Sequence, residues 1–180
     1  MGETLDANTG EARRITAMHE AGHAVAVCMR GGSFLRSVHL GDAPGTGITN
    51  YRSKPCDAPF VAWAGCWAEA RLAWGALSYD ATDDEGYQWC DYLTGVFLDQ
   101  RDDAAAVVAE YFKELAMGPL SPRELELATE ETWHREMDPL WPVVQKVADR
   151  LLAGAGVNHE LVVELLDHEL GELQAERDPR

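Results

Sequence analysis

No apolar run in this sequence approaches the roughly 20 residues needed to cross a bilayer. The opening segment MGETLDANTGEARR also lacks the apolar core of a secretion signal, so a cytoplasmic protein with no membrane association is expected. Basic residues are scarce, 15 Lys and Arg against 31 Asp and Glu, for a formal net charge of -16. The imbalance lies in the second half, where residues 81–180 hold 23 acids and 8 basic residues. Such a field repels phosphate backbones and argues against nucleic acid as a partner, while leaving a basic protein partner open. The four cysteines, Cys28, Cys56, Cys66 and Cys90, show no Cys-x-x-Cys spacing, which removes the simplest zinc-ribbon and redox-pair readings and leaves free thiols in a reducing compartment. Internal repeats, low-complexity segments and a Gly-rich phosphate loop are likewise missing.

What is present is a chain of 180 residues, 46% hydrophobic and 26% charged, enough for one globular domain with a real core. Within it, His19-Glu20-Ala21-Gly22-His23 stands out. On a helix, positions i and i+4 lie one above the other, so His19 and His23 can hold one metal ion with Glu20 beside it. A carboxylate so placed can take a proton from a metal-activated water and return it to a leaving amine. The neighbours Ala21, Ala24, Val25 and Val27 are small or apolar and suit a buried helix, and Gly22 in its interior points to close approach of another backbone.

Punctuation and periodicity divide the rest. Residues 1–10 read as a flexible tail, followed by a helix from Glu11 to Met29 that Gly31 and Gly32 end. Leu35–Leu40 and Gly47–Tyr51 read as two short strands about a turn, and Phe60–Trp74 as a central helix apolar on nearly every face. Thr82-Asp83-Asp84-Glu85 has capping-box form and predicts a helix from Thr82 through Tyr87, Cys90, Leu93 and Phe97. Further helices are expected over residues 104–117, 122–135, 140–152 and 160–173, and a charged tail over 174–180.

A catalytic zinc site normally takes three protein ligands. Asp84 is the leading candidate for the third, because it shares a predicted helix face with Tyr87, Cys90 and Leu93, where an unpaired charge would be costly; Asp83 can exchange roles with it. Attraction of an acid to a helix N-terminus explains the same placement equally well. Glu69, a carboxylate within an apolar helix, competes as a ligand or as the acceptor that orients a ligating histidine. Cys90 is a weaker candidate, His39 suits a half-exposed strand position, and His134, His159 and His168 suit the surface.

Four segments together resemble the peptidase domain of the FtsH family of zinc metalloproteases, peptidase family M41. They are Ala17 to Val25, Gly47-Ile48-Thr49, Gly65 to Glu69, and Ala81-Thr82-Asp83-Asp84. The run from Trp141 to Leu152 is similar to the closing helices of that family. The resemblance implies a mainly α (α+β) metalloprotease domain over residues 11–173, with a small sheet beside the HExxH helix. It further implies Zn2+ held by His19, His23 and Asp84, Glu20 as the catalytic base, and a substrate-binding strand at Gly47, Ile48 and Thr49. Trp67 stands where the family has Ala, and Gly86 with Tyr87 breaks its charged continuation.

Without a phosphate-binding loop, the expectation is a soluble, ATP-independent zinc endopeptidase acting on extended or unfolded polypeptide segments. A homo-oligomer or a separate unfoldase is a candidate partner. The alternative is a catalytically silent M41-like regulatory protein that binds a partner through its acidic helical half.

Overall fold

The computed structural model describes the backbone over residues 3–115 and 122–177 and the side chains over 9–109 and 130–174. Helix α1 (Glu3–Met29) leads into strands β1 (Phe34–Leu40) and β2 (Gly47–Arg52). Helices α2 (Ala58–Trp74), α3 (Trp89–Asp99), α4 (Arg101–Leu115) and α5 (Pro122–Met137) follow, and after a short 3-10 turn α6 (Trp141–Leu152) and α7 (His159–Arg177) complete the order. The protein is mainly helical with one two-stranded antiparallel sheet, the α+β class read from the sequence. No helix among the described residues is long and apolar enough to cross a membrane.

The centre of the fold is the α1/α2 pair, with α6 and β1 against α1 and with α3 and α4 against α2. Helix α2 is buried from Pro59 to Ala68, as its all-round apolar sequence requires. The anticipated close approach at Gly22 is present: a Cβ there would lie 2.3 Å from the Ala64 carbonyl oxygen and 2.8 Å from the Ala68 Cβ. Glycine costs helix propensity at Gly22 but lets the two backbones meet.

Strands β1 and β2 pair from Phe34↔Arg52 to Leu40↔Gly47, with an irregularity between Leu35 and Ser37. The turn between them closes with the Gly41 N–H donating to the Thr46 carbonyl at 2.8 Å. Only Leu35 and Val38 of β1 are buried, so the hairpin lies on the surface against α1 and leaves β2 as an edge strand.

Four sequence expectations need correction. Residues 3–10 continue α1 rather than forming a tail, consistent with the absence of proline and with acids at Glu3 and Asp6 near the N-terminus. At the other end, α7 runs to Arg177, into the segment read as a charged tail, and residues 178–180 lie outside the described residues. The third change bears on function. Helix α3 starts at Trp89, not Thr82, because the Asp83 carboxylate accepts hydrogen bonds from the Glu85 and Tyr87 backbone N–H groups and bends the chain into a loop. Gly86 takes φ +93° there, and Thr82 bridges Gln88 across the loop. The acid that caps α3 is Asp91, which accepts from the Gln88 N–H at 2.8 Å. The helix expected over 104–117 begins at Arg101, and its last two residues lie outside those described.

Trp63 and Trp67 of α2 are fully buried in an aromatic cluster with Phe60, Trp133 and Trp141. His134, assigned to the surface by its acidic sequence surroundings, belongs to this cluster: its Nδ1 accepts a hydrogen bond from the Trp67 indole at 2.9 Å. Burial lowers the His134 pKa; Asp138 opposes that shift and Arg71 adds to it. The unfolded chain therefore binds a proton more readily, so this contribution to stability is complete above about pH 6.5 and is lost as pH falls through the lower folded value. Thermal unfolding should show a loss of stability on acidification that is smaller in His134→Gln, and parallel pH profiles would refute this.

Candidate metal centre

The site is built on the face of α2 that meets α1. Val61, Gly65, Ala68 and Glu69 recur at the spacing of one helix face, and each has a task. The Val61 carbonyl accepts the His23 Nδ1–H at 2.7 Å, and Glu69 Oε2 lies 3.2 Å from His19 Nδ1. Gly65 makes room for the imidazole of His23, since a Cβ there would lie 2.3 Å from its Cε1 and 2.5 Å from its Nε2. Ala68 accommodates Gly22, as described above. Trp67 does not alter the site, because its ring points to His134 and Trp141.

With both Nδ1 atoms turned to acceptors, the Nε2 atoms of His19 and His23 converge, 2.9 Å apart. Asp103, in the first turn of α4, brings Oδ2 to 3.1 Å from His19 Nε2 and 3.4 Å from His23 Nε2. His19 and His23 are buried. Three acceptors facing one point need either a shared proton or a cation between them. Burial alone would lower the His19 pKa, but hydrogen bonds and charge from Asp103 and Glu69 outweigh it and raise the value to about 9. Burial likewise opposes ionisation of Asp103, while the two imidazoles outweigh it and hold that carboxyl well below its usual range. A proton on His19 Nε2 thus occupies the point that a cation can take.

The donors suit zinc. Two imidazole nitrogens and a carboxylate oxygen are its ordinary ligands, and atoms bound about 2.0–2.2 Å from a tetrahedral ion lie roughly 3.3 Å apart, close to the spacings here. Cys66 Sγ, on the same part of α2, forms a further group with the His19 and Asp103 ligand atoms, all within 4.8 Å of one another.

Glu20 is buried beside His19 and lines a cleft of about 500 Å³. Thr49 Oγ1 donates to Glu20 Oε2 at 2.6 Å and also reaches the Glu20 main-chain oxygen at 3.2 Å. At Gly47, a Cβ would come within 2.6 Å of Glu20 Oε1. The strand expected from sequence to bind substrate therefore also sets the position of the Glu20 carboxylate. Ile48, between these two residues, is exposed on the edge strand. Asp99 and Gln100 also line the cleft, and Gln100 donates to Glu69 Oε2 at 3.2 Å.

No protein-family model matches the chain, no curated protein matches it, and no solved structure matches it. The site must therefore be judged on its own geometry.

His19, Glu20, His23 and Glu69 come together as the sequence suggested, with Glu69 as the acceptor behind His19. Asp84 does not join them. It is exposed in the Thr82–Gln88 loop and belongs to no metal-binding group among the described residues. Asp83 is taken up by the loop itself, and hydrogen bonds, first of all from the Tyr92 hydroxyl at 2.7 Å, hold its pKa below the usual carboxylate value. Cys90 and His39 are exposed. The residue missed from sequence is Asp103. Asp103 lies four positions before the buried Val107, on the inward face of α4, but many acids of this chain stand at such a spacing from an apolar residue, so the sequence alone does not single it out.

Proposed function

We propose that this protein is a zinc-dependent metallopeptidase that hydrolyses peptide bonds in extended polypeptide segments, with His19, His23 and Asp103 as metal ligands and Glu20 as general base and acid. The observation that carries the reading is the convergence of His19 Nε2, His23 Nε2 and Asp103 Oδ2 next to a buried Glu20 that lines a cleft. The resemblance of residues 17–25, 47–49 and 65–69 to peptidase family M41 supports it, while residues 81–84 do not, since Asp103 stands in place of Asp84 in the ligand set. Free cysteines suit a reducing cytoplasm.

Zinc, when bound, supplies Lewis acidity that polarises the scissile carbonyl and lowers the pKa of water. The chain's own residues do the rest. Thr49 holds Oε2 of Glu20, leaving Oε1 to take the proton of the attacking water and return it to the leaving amine. Glu69 and the Val61 carbonyl fix the ring orientation of the two histidines. The free edge of β2 offers backbone groups to an extended segment entering the cleft, a mode that selects unfolded stretches over folded surfaces.

Elemental analysis of the purified, untagged protein should find one zinc per chain. An unstructured polypeptide should be cleaved, cleavage should stop on chelation, and zinc should restore it. Stoichiometric zinc with no cleavage, but with tight partner binding that Glu20→Gln leaves unchanged, would favour the regulatory alternative.

A further inference from the structure

The group formed by His19, Cys66 and Asp103 contains an atom that the peptidase reading does not use. Cys66 is fully buried on α2, three residues before Glu69 and next to Gly65, the residue that makes room for His23. Its sulfur lies within 4.8 Å of the ligand atoms of both His19 and Asp103. It does not line the cleft, whereas His19, Glu20 and Glu69 do. We propose that Cys66 is a further metal donor beside His19 and Asp103, placed outside the cleft lining so that the side facing the cleft is left for water and substrate.

The chemistry of the pocket fits this role. Burial, and then the charges of Asp103 and Glu69, push the Cys66 thiol pKa far up, so without a cation the sulfur is a neutral and unreactive thiol. Coordination to a divalent cation deprotonates a thiol outright, and its proton passes to solvent as the metal–sulfur bond forms. A thiolate among imidazole and carboxylate ligands shifts preference towards zinc and away from harder ions such as manganese. Zinc also accepts a fifth ligand during catalysis, so a further donor need not close the centre.

This inference rests on the metal-centre part of the proposed function and is independent of peptidase activity. Cobalt(II), titrated into the metal-free full chain, reports sulfur directly through a near-ultraviolet thiolate-to-cobalt charge-transfer band. The wild type should show that band, Cys66→Ser should lose it, and zinc affinity in Cys66→Ser should fall by at least about tenfold, the lower end of what outer partners of metal sites contribute. Cys28, Cys56 and Cys90 are removed as sources by a Cys28→Ala/Cys56→Ser/Cys90→Ser variant, which should keep the band and which decides the matter if Cys66→Ser does not fold. Cobalt bound with visible ligand-field bands but no charge transfer would overturn the role of Cys66 and leave the three-ligand centre standing. A band that survives Cys66→Ser would overturn it too. No cobalt or zinc binding at all would overturn both.

Discussion

Glu20→Gln should retain its zinc and lose turnover on an unstructured peptide by about 10²–10⁴-fold, the usual contribution of a positioned general base. The substitution is nearly isosteric. The glutamine oxygen can still accept the Thr49 hydroxyl bond that now reaches Glu20 Oε2 at 2.6 Å, so the hairpin stays docked on α1. What is lost is the ability to take up a proton at Oε1. Because the proposed ligand atoms belong to His19, His23 and Asp103, zinc content measured on the same sample should remain at the wild-type level. Unchanged kcat would remove Glu20 from the mechanism, and loss of zinc together with activity would show that Glu20 acts on the metal site and not on the proton.

Asp103→Ala should weaken zinc binding by more than about 100-fold, since even outer partners of a metal site cost about 10–100-fold. Asp84→Ala should bind zinc as the wild type does. The contrast follows from placement: Asp103 Oδ2 lies 3.1 and 3.4 Å from the two imidazole nitrogens, while Asp84 is exposed in a loop. Competition with a chromophoric chelator measures both affinities. If Asp84→Ala were the weakened variant, the loop would have to move onto the histidines when metal binds, and Asp103 would be a partner of His19 only in the metal-free chain.

The pair of variants also separates two kinds of inference. Asp84 was selected by a pattern in which Thr82 opens a helix and the acids after it occupy its first turn. That pattern is local, and a competing local interaction defeats it: the Asp83 side chain satisfies the backbone N–H groups of Glu85 and Tyr87 in a loop, and Gly86 accepts the positive φ that the loop requires. With the start of α3 moved to Trp89, the face that was to aim Asp84 inwards no longer exists. His134 shows the same limit from the other side. Its acidic neighbours in sequence suggested solvent, yet the Trp67 indole binds it in an aromatic cluster.

By itself, the sequence determined the helical class, the hairpin between the first two helices, the burial of α2, the need for glycine at Gly22, and the joint placement of His19, Glu20 and His23. Each of these rests on short-range geometry: the 3.6-residue period, the turn residues between Leu40 and Gly47, or the space that a missing Cβ leaves. Only the tertiary structure brought the Asp103 carboxylate to the two imidazoles and placed Gly47, Thr49, Gly65 and Cys66 around them. Asp103 is 84 positions from His19, as the hydrogen bond joining them records, and many acids in this acid-rich chain have a similar local sequence. The choice among them comes from α4 packing against α2, which brings the first turn of α4 over the histidines of α1. That packing sums many apolar contacts distributed along the chain, and no local pattern around Asp103 encodes it.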